Sequence, residues 1–290
     1  MAGHLVRAGH EVTVYNRTAA KAARFVESHG GARAATPAEA ARAASFLLCC
    51  VGNDADVREV IAGPNGALTT LSPGAVIVDH TTTSASLARA LAREAAARGI
   101  AFLDAPVSGG EAGAQKGVLT VMAGGDATAF ERARPVLTAY ARTASLVGPS
   151  GSGQLAKMVN QICIAGIVEG LAEGLDFARA AGLDPEAVVA VISKGAAQSW
   201  QMENRAESML AGRFDFGFAV DWMRKDLGFA LDEGRRNGAS LPMTALVDQL
   251  YAEVQALGGG RWDTSSLIQR LVALREKKLP EQSGRPARER

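Results

Sequence analysis

Three short, predominantly apolar runs, at 44–51, 75–79 and 101–104, constrain this chain most. Each has strand length and none alternates with polar residues, so each suits a sheet covered on both faces. Helical stretches separate them. One, over 86–98, is rich in alanine; another opens at Thr36-Pro37-Ala38-Glu39, a capping box with proline at the first helical position. Upstream, residues 11–18 alternate like a strand running into a turn, and a helix follows from about 19 to 29. Residues 117–123 read as a further strand, and Thr128-Ala129-Phe130-Glu131 as the capping box of the helix after it. Such alternation predicts an α/β fold with a parallel, doubly wound sheet of Rossmann type.

The alternation stops at Gly148. A glycine-rich turn there feeds a helix that can run unbroken from near Gly151 to about Ala181, roughly 45 Å at the standard rise. Its middle, 162–168, is apolar almost all round, which predicts burial on several sides. Asp184-Pro185-Glu186 caps the next helix, and only helical patterns follow: 185–193, 199–210, 223–237, 243–257 and 265–274. The predicted organisation is a Rossmann-type nucleotide domain over 1–150 and an all-helical substrate and dimerisation domain over 151–280, joined by the long interdomain helix. The polar, proline-containing stretch 281–290 reads as a disordered tail.

The amino end is unusual for this architecture. Residues 1–10 read as the second half of a helix closed by a glycine C-cap at Gly9. A doubly wound domain places a strand and a glycine turn before such a helix, so the sheet is expected to lack its first strand.

A net charge of +1 over 290 residues argues against a nucleic-acid partner, which needs a clustered basic excess. Cys49, Cys50 and Cys163 read as reduced core residues, and His4, His10, His29 and His80 form no ligand pair, so no metal is expected. No signal peptide is visible and no apolar run reads as long enough to span a bilayer. The expectation is a cytoplasmic protein without membrane partners.

Four stretches carry candidate chemistry. Gly151-Ser152-Gly153-Gln154-Leu155-Ala156 fits the dinucleotide fingerprint, but twenty residues on lies the middle of the same helix rather than an acidic strand end. It reads as a false match whose glycines make the hinge and helix start. On that helix Gln154, Lys157, Asn160 and Gln161 share one face. A desolvated lysine can act as proton donor or acceptor, whereas helical lysines are mostly solvated. Asn16-Arg17-Thr18 closes an early strand where a nucleotide sheet reads the adenosine ribose; arginine in place of an acid favours NADP over NAD. Asp104-Ala105-Pro106-Val107-Ser108-Gly109-Gly110 follows a strand, and its small residues let backbone N–H groups converge on a carboxylate. Lys225-Asp226 reads as solvated helix surface, and Trp200 and Trp222 as core aromatics.

Together these pieces resemble the β-hydroxyacid dehydrogenase family, which includes 3-hydroxyisobutyrate dehydrogenases and tartronate semialdehyde reductases. The resemblance covers almost the whole chain, and the loop from Asp104 through Gly117 is its most specific part. It implies that Lys157 is the acid/base and Asn160 orients the reacting group, with Ser108, Gly109 and Gly110 on the substrate carboxylate. It also implies cofactor contacts from Asn16, Arg17 and Thr18, from Val51, Gly52 and Asn53, from Thr82 and from Lys225. The expected reaction is hydride transfer between NADP(H), with NAD as the alternative, and a small 3-hydroxy acid or its semialdehyde. Dimers or tetramers are implied as well, and the helical half reads as having little core of its own. Two rivals stand beside this reading. One is a non-catalytic homologue serving as a binding or dimerisation module, motivated by the amino end. The other is an imine reductase, against which Lys157 counts. For the amino end itself the expectation is a misassigned start codon rather than a genuine truncation.

Overall fold

The computed structural model describes residues 1–278, so the predicted tail over 281–290 lies outside the described residues. The chain forms two compact units, Met1–Val159 and the residues from Asn160 on.

The first unit alternates helix and strand in chain order: α1 (Ala2–Arg7), β1 (Thr13–Val14), α2 (Ala19–His29), β2 (Ala32–Arg33), α3 (Pro37–Ala41), β3 (Phe46–Cys49), α4 (Asp54–Ala62), β4 (Val76–Asp79), α5 (Ala85–Ala96) and β5 (Ala101–Asp104). Then come β6 (Val107–Ser108), α6 (Gly110–Lys116), β7 (Leu119–Gly124), α7 (Ala127–Leu137), β8 (Ala141–Gly148) and the start of α8 (Ser152–Ala180). The three apolar runs become β3, β4 and β5, parallel and in register through Leu47, Ile77 and Phe102. Alternate residues serve opposite faces, as strand geometry requires. Val76, Val78 and Leu103 pack with Phe130, Leu137 and Tyr140, whereas Ile77 and Phe102 pack with Val57, Ile61 and Leu91. Full burial of such a side chain stabilises the fold by about 1.5–3 kcal/mol.

The sheet departs from the all-parallel expectation. β7 runs antiparallel to β5 and β6 and parallel to β8. Between β6 and β7 lies little more than the short helix α6, too little chain for a parallel crossover, which takes a dozen or more residues. β8 escaped the sequence reading because one of its faces is open, so it alternates instead of forming an apolar run. α7 is capped by Asp126, which accepts from Ala129 N, and Thr128 lies inside the helix. β1 and β2 form a separate two-stranded parallel sheet. Among the described strands β3 pairs only with β4, and Phe46, Leu47 and Leu48 are half-buried where the residues of β4 are fully buried. This break falls where the first strand of a doubly wound order would lie.

The second unit holds the remainder of α8 with α9 (Pro185–Ile192), α10 (Trp200–Leu210), α11 (Val220–Asn237), α12 (Pro242–Ala256) and α13 (Leu267–Lys278). Contrary to expectation it has a substantial core of its own, including Met202, Met209, Phe214, Met223, Leu227, Val247, Tyr251 and Leu267. The middle of α8 is also less enclosed than expected. Ala165 and Val168 are buried, while Cys163 and Ile167 are exposed, because this core takes one stripe of the helix. By length and composition α8 could cross a bilayer, which the sequence reading had not anticipated; in the fold Ala165, Val168, Ala172 and Leu175 belong to the core. Cys50 is exposed too, leaving Cys49 as the buried one of the three cysteines. Trp200 is 56% exposed and Trp222 37%, so neither is a core residue.

Candidate functional site

Parallel pairing makes β3, β4 and β5 end at the same edge, so the loops at 50–53, 80–84 and 105–110 leave the sheet together. This carboxyl edge is where open α/β sheets bind ligands. The loops are tied to one another. Val51 N donates to Thr81 Oγ1 (3.0 Å), and Thr81 N donates to Asp79 Oδ1 (3.0 Å). Asn53 caps α4 by accepting from Asp56 N, and Asp54 accepts from Ser84 N. Asn16 Oδ1 accepts from Thr18 N, folding the turn after β1. Arg17 is 85% exposed and reaches Asp56 on α4 at 3.1 Å, which brings that turn to the same edge. Such an exposed pair is worth at most about 1 kcal/mol, so the guanidinium is available to a stronger anion.

The start of α8 is locked into this edge. Asp104, at the end of β5, accepts from Gly151 N (2.7 Å) and from Gln154 N (3.0 Å). A carboxylate here satisfies amides that a helix start leaves without partners. The same contacts explain why the glycine pattern is no dinucleotide cradle: its amides are already taken. Gly151 has φ +93°, and a Cβ on Gly153 would lie 2.3 Å from Asp104 O. The glycines thus permit both the turn and the close approach of helix to sheet. Lys157, in the second turn of the helix, is only 7% exposed, so it is no solvated surface lysine.

Gln154 is completely buried. Its Nε2 donates to Thr81 O (2.8 Å) and its Oε1 accepts from Thr83 N (3.0 Å). Thr82, assigned to the nicotinamide end by resemblance, sits half-buried between those two bonds. His80 lies beneath. With its proton on Nδ1 it donates to Ala105 O (2.6 Å) and accepts from Tyr140 OH at Nε2 (2.7 Å). Burial pushes its pKa down to about 4, so it is neutral and fixes the start of the loop after β5.

Two buried acids shift in the opposite direction. Burial raises Asp104 to about 6, against the pull of its backbone N–H donors, and raises Asp79 to about 7. The folded state therefore holds a proton on Asp79 that the unfolded chain has lost once pH exceeds about 4. This contribution to stability is fully present below about pH 4 and is lost as pH rises through about 7. Asp79→Asn keeps an acceptor for Thr81 N and removes the titration. Its stability relative to the wild type should grow between about pH 4 and 8 by on the order of 2–4 kcal/mol, read by urea unfolding. Parallel stability curves for the two proteins would show the assignment to be wrong.

Ser108 ends β6, and Gly109 (φ +125°) and Gly110 (φ +61°) form the turn into α6. Both glycines are exposed, and the first N–H groups of α6 have no acceptor within the helix. In the second unit, Asn160 Nδ2 donates to Gln161 Oε1, and Gln161 Nε2 donates to buried Asp226 (2.7 Å). Lys225 pairs with Asp226 at 3.3 Å and lies 5.7 Å and 5.6 Å from the ring centres of Trp222 and Phe229. The solvated reading of Lys225-Asp226 is thereby corrected. Among the described residues no cluster of metal-ligating side chains occurs.

Gln154, Asp79, His80 and Asp104 carry no expected role from sequence, although Gln154 shares a helix face with Lys157. A carboxylate or imidazole at the end of an apolar strand was the available signal, because such a group is buried and must be answered by hydrogen bonds.

Comparison with known proteins adds to this geometry. Residues 1–148 match the family model of the NAD-binding domain of 6-phosphogluconate dehydrogenase. Residues 151–271 match that described as NAD-binding of NADP-dependent 3-hydroxyisobutyrate dehydrogenase. The chain is 62% identical over 271 residues to an uncharacterized oxidoreductase of Shewanella frigidimarina, covering 93% of both. It is 36% identical to the 2-hydroxy-3-oxopropionate reductase of Escherichia coli, covering 96% of this chain and 95% of that one. Among solved structures, Mycobacterium tuberculosis 3-hydroxyisobutyrate dehydrogenase with L-serine is similar, with TM-score 0.85, 30% identity and coverage of 93% and 94%.

Proposed function

The chain belongs to the β-hydroxyacid dehydrogenase family of NAD(P)-dependent oxidoreductases, and from that premise we propose that it interconverts a small 3-hydroxy acid and its semialdehyde. The observation that carries the reading is a buried lysine on the helix that Asp104 and Gln154 fasten to the carboxyl edge. When bound, a nicotinamide cofactor supplies or accepts the hydride. Lys157 takes the hydroxyl proton on oxidation and returns it to the carbonyl oxygen on reduction, and Asn160, three residues further along α8, orients that oxygen. Ser108, Gly109 and Gly110 hold the substrate carboxylate. The L-serine of the mycobacterial relative, itself a small 3-hydroxy carboxylate, supports that class.

The residues present suit both ends of the cofactor. Asn16, Arg17 and Thr18 would take the adenosine side, where an exposed guanidinium and no acid favour NADP. Val51, Gly52 and Asn53 would border the cofactor and Thr82 its nicotinamide end, and Lys225 is assigned to the cofactor by resemblance. A glycine cradle for the pyrophosphate has no counterpart among the described residues. Three cysteines without disulfides suit a reducing, cytoplasmic setting; recovery in a membrane fraction would count against it. Exposed Phe177, Leu183 and Val191 in the second unit favour a homodimer or homotetramer.

The test is one set of assays on the purified chain, sized by light scattering. Tartronate semialdehyde, 3-hydroxyisobutyrate and succinic semialdehyde are each offered with NADP(H) and NAD(H). Turnover with at least one acid, faster with NADP(H), is expected, as is a mass above the 30.1 kDa of one chain. No turnover with either cofactor would refute the proposed activity, and a monomer would refute the assembly.

A further inference from the structure

The amide of Gln154 makes a two-point contact with the backbone on either side of Thr82, donating to Thr81 O and accepting from Thr83 N. Its own N–H is held by Asp104, so the side chain cannot shift without disturbing the helix start. Gln154 and Lys157 lie three residues apart on α8, hence on one face. We infer that Gln154 is a positioning residue: it fixes the segment 81–83, and with it Thr82, relative to Lys157. The inference rests on the reading that Lys157 moves the proton and Thr82 borders the nicotinamide.

The geometry asks for one donor and one acceptor side by side. Glutamine supplies both at every pH. Glutamate has the same shape but supplies both only when protonated; ionised, it turns a second acceptor toward Thr81 O. Burial raises the pKa of such a carboxyl, so protonation falls within a usable range. Ionisable groups on the neighbouring elements are Asp104 on β5, Asp79 and His80 at the end of β4, Arg89 on α5 and Lys157 itself. Wild type measured at each pH corrects for them.

Gln154→Glu and Gln154→Met are therefore compared with wild type at about pH 6 and about pH 8, with kcat, KM for cofactor and the primary isotope effect from C4-deuterated cofactor. Relative to wild type, Gln154→Glu should lose at least tenfold in kcat at the higher pH and recover to within about threefold at the lower, while Gln154→Met stays impaired at both. The isotope effect should rise in the impaired states, since misplacement slows the hydride step itself. A purely structural role would lower the folded fraction and leave the isotope effect unchanged, and that result overturns the inference. Hydrogen exchange at Thr83 N–H reads the contact without activity. It should accelerate in Gln154→Met, which leaves Thr83 N–H without its oxygen acceptor, relative to wild type at the same pH, and unchanged protection also overturns the inference. A wild type inactive on every substrate, with protection behaving as expected, would instead sink the functional reading.

Discussion

Lys157→Ala will lose turnover by about 10²–10⁴-fold in kcat, while nicotinamide nucleotide affinity stays within a few-fold of wild type. Removing a general acid/base costs an amount of that order, because the proton must then travel through water that the site does not hold in place. Lys157 is buried, so its truncation also leaves a void, and part of any loss could come from packing. Lys157→Met separates the two effects, since it fills the space and cannot carry a proton. Lys157→Arg keeps the charge but cannot give up its proton at working pH, and it should be nearly as inactive. A mutant retaining more than about a tenth of kcat would lie below what acid/base loss predicts and would remove Lys157 from the role. Isothermal titration with NADP and NAD supplies the affinities, and steady-state rates the rest.

How far these roles were legible in the sequence differs from element to element. β3, β4 and β5 were plain, because a strand covered on both faces must be apolar throughout and few other structures need that. The helices of the second unit were plain for the same kind of reason. β8 was not, since its open face makes it alternate, and the antiparallel entry of β7 depends on how much chain joins it to β6. Lys157 was visible as a candidate only. What separates it from a surface lysine is burial, and the helix that carries it is anchored through Asp104 and Gln154 across some fifty and seventy residues of sequence. Local pattern does not carry contacts of that range. The Lys225–Asp226 pair was misread for the same reason, as its partner Gln161 comes from another helix.

Gly153→Ala will unfold the start of α8 or displace it, with large losses in both stability and kcat. Two effects oppose each other. Gly153 has no positive φ, and alanine in place of glycine inside a helix normally gains about 1 kcal/mol. Against this, a Cβ at that position would lie 2.3 Å from Asp104 O and 2.5 Å from Met122 O, and both are backbone atoms of the sheet that cannot rotate away. Relief requires α8 to move outward by something near 1 Å, stretching the bonds from Gly151 N and Gln154 N to Asp104. Overpacking of this kind costs about 1–3 kcal/mol or more, so the clash outweighs the helical gain. The shift also carries Lys157 off its position, and a displacement of about 1 Å at a reacting group can cost about 10²-fold in rate. Gly228→Ala on α11 is the matched control, since nothing lies within 4 Å of its added Cβ. It should be neutral or stabilising by up to about 1 kcal/mol. Thermal unfolding of the two variants should therefore move in opposite directions, and a Gly153→Ala protein with wild-type melting and wild-type kcat would show that the helix does not approach the sheet this closely.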